Sequence, residues 1–324
     1  MAKVLVVGKG NCLVYMTENT VEAFRQAGCQ VELFAVNGHH RAHELYYRLR
    51  GMFAGGTPAV VAESLRRKIR AFQPDLIVFV LGAWQSAEVY QAAQDASPDA
   101  IRVAWVGDVF GPAEIEFARY MDWIFCTDSY FMDLVRESGF STPTAYLPLA
   151  FDPNRFYPMD VPRSNEVVYV AKSSPGRAAF VSQVTRPLTL YGRRWRKLKA
   201  PQHEIRVQRV LLAQLPMVYA SCRAVLNIKN ELNVVRGLNQ RSFEPYGCKT
   251  PVLNDDVADL ELCFEPGKEI LVYHSVEELH AWHDRLTSDP DFAQSIGAAG
   301  YQRVMAEHTY AHRARQVLQQ VGLK

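Results

Sequence analysis

The chain of 324 residues lacks any long apolar run. Nothing in it approaches the ~18 residues a membrane-spanning helix requires, and Met1-Ala-Lys3 leads straight into a strand with no basic region, apolar core and cleavage site ahead of it. Neither secretion nor membrane spanning is indicated, and a cytoplasmic location is expected. The six cysteines (Cys12, Cys29, Cys126, Cys222, Cys248, Cys263) show no C-x-x-C pair and no metal-ligand spacing. They read as buried free thiols of a reducing compartment. A dominant charge sign is missing too: 36 Lys and Arg face 34 Asp and Glu, a net charge of +2, which argues against a protein built mainly to hold nucleic acid. There is no short-period repeat. What is present is globular composition, 48% hydrophobic and 22% charged. At this length that is material for two cores, since single cores stop growing near ~250–300 residues.

Strands and helices alternate from the start. Val4–Gly8 is an apolar strand, Asn19–Ala27 a helix and Val31–Ala35 a strand, the opening of a doubly wound sheet. The loop Gly8-Lys9-Gly10-Asn11 is not G-x-G-x-x-G, and no acid closes the second strand, so a dinucleotide site is rejected. Gly10 and Asn11 stand either on an interdomain cleft or in a structural turn. His39 and His40 read as a solvated loop. Helix Ala59–Phe72, strand Leu76–Leu81, helix Ser86–Asp95 and strand Arg102–Val106 follow. The last runs into Gly107-Asp108, where an acid at a strand's C-terminal end either faces the ligand side of the sheet or caps a helix Pro112–Tyr120. Glu114 and Glu116 are weaker candidates. Trp123–Cys126 is a strand, Asp128 caps a helix Tyr130–Ser138, and Tyr146–Pro148 closes the first domain.

A stretch without periodicity and with Pro153, Pro158 and Pro162 reads as a linker. The expected organisation is therefore residues 1–150, a linker 151–164, and a second domain 165–324 whose last helix packs back toward the first. The second domain opens with strand Val167–Ala171, then Lys172-Ser173-Ser174-Pro175-Gly176-Arg177 entering a helix. Strand Leu188–Gly192 is followed by the basic turn Arg193-Arg194-Trp195-Arg196-Lys197. That turn reads as a solvated turn over a packed Trp, or as a contact for an anionic acceptor, a membrane surface or nucleic acid. A helix Val210–Ala220, interrupted at Pro216, precedes strand Ala224–Ile228. Arg241 to Asp255 forms the centre: a short helix to about Cys248, a turn at Lys249-Thr250, a strand Pro251–Leu253, and turn residues Asn254 and Asp255. Arg241 and Glu244 share one helix face. They are either a solvated ion pair, or a cation for phosphate beside a carboxylate for a ribose diol. Ser275 caps a helix to Leu286, with another helix from Asp289.

Arg241-x-Phe243-Glu244, then Thr250-Pro-Val-Leu253, then Phe264-Glu-Pro-Gly-Lys-Glu269 resembles the donor-binding half of GT-B glycosyltransferases, a group 1 type. It is most similar to the CgeB-like, spore-maturation-type group. Asp122-Trp-Ile-Phe-Cys-Thr-Asp128, Tyr146-Leu-Pro-Leu-Ala-Phe-Asp-Pro153, Tyr191-Gly192-x-x-Trp195 and His308-Thr-Tyr310 with Arg313 extend the resemblance over roughly residue 75 to the end. It implies an α/β fold of two Rossmann-like domains facing a cleft. Its implied reaction is metal-independent transfer of a sugar, from a nucleotide-diphosphate sugar such as a UDP-sugar, to a hydroxyl on a glycan, protein or small molecule. Glu244 would hold the ribose. Lys172, Ser173, Tyr191, Gly192, Asn227, Arg236 and Arg241 would line the donor. Arg177 would stabilise the leaving diphosphate, and Asp108 would be the base.

No Asp-x-Asp pair in a suitable loop suggests a metal, and no cofactor or nucleic acid is implied; a homo-oligomer is left open. Two departures stand out. Lys249 occupies a glycine position of the family, and Ala171 or Lys172 replaces another. The acid that retaining enzymes place eight residues before the helix Glu is Arg236 here, which leaves stereochemistry undecided. A non-catalytic nucleotide-sugar-binding protein and a nucleotide-sugar 2-epimerase are the alternatives. His308 reads as structural.

Overall fold

The computed structural model describes residues 1–10, 15–37, 47, 49–52, 55–81, 83, 85–111, 114–207, 210–230 and 233–323. Asn11, His39, His40 and Pro112 lie outside them. The chain divides into two compact units, residues 1–148 with 310–324, and residues 149–309.

Unit 1 holds a six-stranded parallel sheet in the order β2-β1-β3-β4-β5-β6. Its strands are β1 (Lys3–Gly8), β2 (Gln30–Ala35), β3 (Leu76–Val80), β4 (Ile101–Val106), β5 (Trp123–Cys126) and β6 (Thr144–Tyr146). β3 is buried at every position, as a strand covered by helices on both faces must be. Its helices are α1 (Met16–Gln26), α2 (Thr57–Phe72), α3 (Ala87–Ala96) and α4 (Ser129–Glu137). Asp128 caps α4, its carboxylate accepting from the Tyr130 amide at 2.9 Å, as the sequence indicates. Two elements differ from expectation. The last strand lies at Thr144–Tyr146, ahead of Leu147-Pro148, because Pro148 has no amide to offer a ladder. The helix expected from Pro112 is a 3₁₀ helix, Ile115–Tyr120; the Glu114 side chain accepts from the Gly111 amide at 2.8 Å and sets its start.

The C-terminal helix α10 (Tyr310–Gln320) belongs to this same unit and packs against α1. Its Tyr310 ring lies edge-on to Trp105 at 6.0 Å, and the Arg313 Nε donates to the Pro148 carbonyl at 2.6 Å.

Unit 2 repeats the architecture, with strand order β12-β11-β10-β7-β8-β9, again all parallel. The strands are β7 (Val167–Val170), β8 (Thr189–Tyr191), β9 (Glu204–Arg206), β10 (Ala224–Asn227), β11 (Val252–Asp255) and β12 (Leu271–Tyr273). The helices are α5 (Pro175–Gln183), α6 (Leu215–Ser221), α7 (Glu244–Gly247), α8 (Val276–Ser288) and α9 (Pro290–Glu307). Pro216 starts α6 rather than interrupting a longer helix, since a missing amide costs nothing in the first turn. Ser275 and Asp289 cap α8 and α9 by accepting from the Glu278 and Phe292 amides. Residues 149–164 lie within this unit, where Phe151 bridges to Thr309. The five described cysteines are buried free thiols, and among the described residues no helix is long and apolar enough to cross a membrane.

Candidate functional site

In open parallel sheets ligands bind beyond the C-terminal strand ends, where the strand order reverses. In unit 2 that point lies between β7, whose successors β8 and β9 run one way, and β10, whose successors run the other. The side chain standing there is Arg177. Ser174 caps α5 by accepting from the Arg177 amide, which places this residue in the first helical turn. Its guanidinium is 7% exposed and spans the switch point. Nη1 donates to the Lys172 carbonyl (3.2 Å), Nη2 to Ile228 (2.8 Å) and Nε to Lys229 (3.3 Å). Three of the five N–H groups a guanidinium offers are committed to the main chain. Arg177 therefore ties the two loops that flank the switch point and keeps at most two donors for a ligand.

Beside it lies a polar network around Asn227, the last residue of β10 and 1% exposed. The Asn227 amide donates to Ser242 Oγ (3.0 Å) and Asn254 Oδ1 (2.7 Å), and its carbonyl oxygen accepts from Asn239 Nδ2 (3.0 Å) and Arg241 Nε (3.0 Å). Asn239 in turn accepts from the Arg241 amide at 2.9 Å. Arg241 is thus held by its backbone and by Nε, and among the described residues neither Nη has a hydrogen-bond partner. The guanidinium carbons of Arg241 and Arg177 lie 5.8 and 6.0 Å from the Tyr169 ring centre. Two cations share one aromatic face of the kind that attracts guanidinium.

The segment after Arg241 is not the continuous helix expected. A 3₁₀ turn, Gln240–Ser242, and a single α-turn, Glu244–Gly247, are separated at Phe243. So short a helix has little dipole, and any attraction for phosphate must come from side chains. The break turns Glu244 inward, where it is 7% exposed. No protein hydrogen bond or ion pair meets its carboxylate among the described residues. Burial pushes this carboxyl up to about 8, with Arg241 and then Arg155 opposing. Arg241 and Glu244 are therefore neighbours in one field, and not the solvated ion pair of the alternative reading. β11 continues through Asn254 and Asp255, the expected turn residues. Asn254 is drawn into the sheet by its bonds to Asn227 and Ser242. Asp255 accepts from the Lys229 amide at 2.9 Å through Oδ2, while its buried Oδ1 has no partner. Burial raises it to about 6.

Lys249, at the glycine position of the resembling family, has φ 55°. That is the left-handed conformation a glycine would adopt without strain. Its ammonium lies 5.1 Å above the Tyr301 ring. Arg163 secures the turn, donating to Thr250 Oγ1 (2.7 Å) and to the Cys248 carbonyl (2.8 Å). The backbone at Lys249 thus adopts a conformation that glycine takes without strain.

The remaining expected residues are spread more widely. Lys172 is exposed and Ser173 half-buried on the β7–α5 loop. The Tyr191 hydroxyl accepts from Arg206 Nη1 at 2.5 Å. Gly192 has φ 136°, and a side chain there would stand 3.2 Å from the Ala171 carbonyl. Arg236 is half-buried, its carbonyl accepting from the Asp259 amide. His308 is buried between Phe243 and Phe264 and within 3.0 Å of the Cys263 carbonyl, the structural part expected of it. In unit 1 Gly10 exchanges two hydrogen bonds with the Asn37 side chain, at 2.9 and 3.0 Å. Asp108 is half-buried just beyond β4, six positions ahead of the Glu114 N-cap position, so it does not cap the 3₁₀ helix. Tyr169 and Asp255 escaped sequence reasoning. A tyrosine inside an apolar strand and an acid in an apparent turn carry no local signal. Among the described residues no group of three His, Cys, Asp or Glu is placed to hold a metal.

Two parallel six-stranded sheets, each open and helix-covered, define the GT-B fold. The comparison with solved structures agrees over the full chain. Sucrose-phosphate synthase from Thermosynechococcus elongatus superposes with a TM-score of 0.70 at 15% identity, covering 99% of this chain and 98% of that one. HepE from Anabaena in complex with UDP-glucose gives 0.68 at 12% identity, covering 99% and 100%. By sequence, residues 172–319 match the family model described as glycosyl transferase-like. Alpha-maltose-1-phosphate synthase of Mycolicibacterium smegmatis is 29% identical over 133 residues, 39% of this chain. That alignment spans only 31% of the relative's length.

Proposed function

We propose that the protein is a glycosyltransferase that binds a nucleoside-diphosphate sugar on unit 2 and transfers its sugar to a hydroxyl acceptor. The observation that carries this reading is Glu244: an almost buried carboxylate with no hydrogen-bond or ion-pair partner among the described residues, beside an Arg241 guanidinium whose Nη groups meet no described partner. Two hydroxyls of a ribose satisfy such a carboxylate, and a diphosphate satisfies the cation. The complex of HepE with UDP-glucose supports uridine as the base. The Arg177 bonds support a positioning part for it: it fixes the Lys172 and Lys229 loops, and its remaining N–H groups serve the leaving phosphate. Side-chain cations, rather than a metal, then neutralise the departing charge. Asp108 is the base that takes the acceptor proton. The placement in the CgeB-like group rests on the motifs around Arg241 and Phe264.

The test is thermal unfolding of wild type and Glu244→Ala with UDP, GDP, dTDP, CMP and their sugars. At a hundred times its dissociation constant a nucleotide stabilises the fold by about 2.7 kcal/mol. The expected result is a rise in wild type with UDP and UDP-glucose and none in the variant. A rise of equal size in both would remove Glu244 from the site, and no rise with any nucleotide would remove the donor reading.

A further inference from the structure

Residues 167–203 contain eight Lys and Arg and no Asp or Glu, while the rest of the chain is net acidic by six. Five of these cations, Arg193, Arg194, Arg196, Lys197 and Lys199, fall in the 3₁₀ helix Arg193–Lys197 and just after it, and all five are exposed. Several other surface cations are paired with carboxylates: Arg66 with Glu63, Lys68 with Glu32, Arg136 with Asp133, Arg186 with Asp284, Lys268 with Glu265. The five in this turn have no ion pair among the described residues. In a 3₁₀ helix positions i and i+3 eclipse, so Arg193 stands over Arg196 and Arg194 over Lys197. Like charges so placed repel unless something brings anions to them.

The platform beneath is rigid. Trp195 is fully buried, its indole N–H donates to the Ala171 carbonyl at 2.8 Å, and its ring lies 5.6 Å from Tyr169. The Leu198 amide closes the turn onto the Trp195 carbonyl at 2.8 Å. The turn follows β8, beside the β7 loop that carries Lys172, so it borders the ligand edge of the sheet without entering it.

We propose that this basic turn docks the protein reversibly on a membrane surface of anionic phospholipid headgroups. A fixed convex cluster of unpaired cations suits a plane of phosphates, each cation near an anionic surface contributing about fivefold in partition. Its one aromatic residue, Trp195, is buried, so the turn offers no stacking surface of the kind single-stranded nucleic acid requires. The proposal stands apart from the transferase reading, which nucleotide-dependent stabilisation tests separately.

The experiment is co-sedimentation of the full chain with vesicles of phosphatidylcholine alone and of phosphatidylcholine mixed with phosphatidylserine, at low and rising salt. Inorganic phosphate and a single-stranded oligonucleotide serve as competitors. The expected result is binding to the anionic vesicles only, lost as salt rises. Arg194→Gln with Lys197→Gln weakens it about 25-fold. Arg193→Gln, Arg194→Gln, Arg196→Gln and Lys197→Gln together weaken it several hundredfold, to an order of magnitude. Replacing the three arginines by lysine retains most of it, and melting temperatures stay at the wild-type value because all these side chains are exposed. Equal binding to neutral vesicles would overturn the proposal, as would binding unaffected by the double variant. So would tighter binding to the oligonucleotide than to anionic vesicles, or a response to inorganic phosphate with no vesicle binding.

Discussion

The two sheets share one topology but not one chemistry. Beyond the C-terminal strand ends of unit 1 stand Gly8, Gly10, the half-buried Asp108 and, after β5, the buried Thr127 and Asp128, the latter spent on capping α4. Beyond those of unit 2 stand Arg177, Asn227, Arg241 and Asp255, each held by hydrogen bonds, and beside them the buried Glu244, whose carboxylate meets none among the described residues. The fold provides the same edge twice. What differs among the described residues is the polar set that meets there: in unit 2 two arginines, two asparagines and two carboxylates converge, and each buried group must be answered by a partner. Where the protein leaves one unanswered, as at Glu244, a ligand has something to supply.

The sharpest way to break the comparison is to disable each edge separately. Asp108→Ala is expected to lower turnover by roughly 10²–10⁴-fold, the usual worth of a positioned base, while UDP still raises the melting temperature. If turnover is unchanged, unit 1 does not contribute the base. Asn227→Ala should have the next largest effect, on stability. It strips partners from Ser242, Asn254, Asn239 and Arg241 at once, a loss of about 2–4 kcal/mol in urea unfolding. A loss under about 0.5 kcal/mol would mean the network adds no stability.

Glu244 gives the unit 2 edge a pH signature. Its carboxyl is raised from 4.5 to about 8 in the folded chain, so the folded state holds the proton that the unfolded state releases. Its contribution is fully present below pH 4.5 and is lost as pH rises through about 8. Glu244→Gln, which stays neutral, should therefore gain on wild type across that window, by on the order of 4 kcal/mol at its alkaline end. Parallel stability curves for the two proteins would show that the carboxyl titrates normally. The same ionisation makes UDP binding release a proton near neutral pH, which calorimetry in buffers of different ionisation enthalpy detects. The smallest effect is expected at the backbone. Lys249→Gly relieves a left-handed residue at φ 55° and should stabilise by about 0.5–1 kcal/mol, less whatever the ammonium gains over Tyr301.

Much of this was legible in the chain itself. Continuous apolar strands alternating with amphipathic helices specify covered parallel sheets, and the capping parts of Asp128 and Ser275 follow from their positions alone. The basic turn over a packed Trp195 was readable for the same reason. The Arg241–Glu244 pair was visible as spacing, but its meaning was not: one helix face predicts an ion pair and a buried, unpartnered carboxylate equally well.

What the sequence determined by itself is therefore the layered architecture, because periods of two and 3.6 residues, caps and turns are properties of neighbours along the chain. The tertiary structure alone decided that Arg177 reaches carbonyls 51 and 52 positions away, that Asn254 and Asp255 are strand rather than turn, and that Glu244 is buried with no hydrogen-bond partner among the described residues. Those outcomes depend on which loops the sheet order brings together and on how much water is excluded between them. Neither quantity is written in any local stretch of residues.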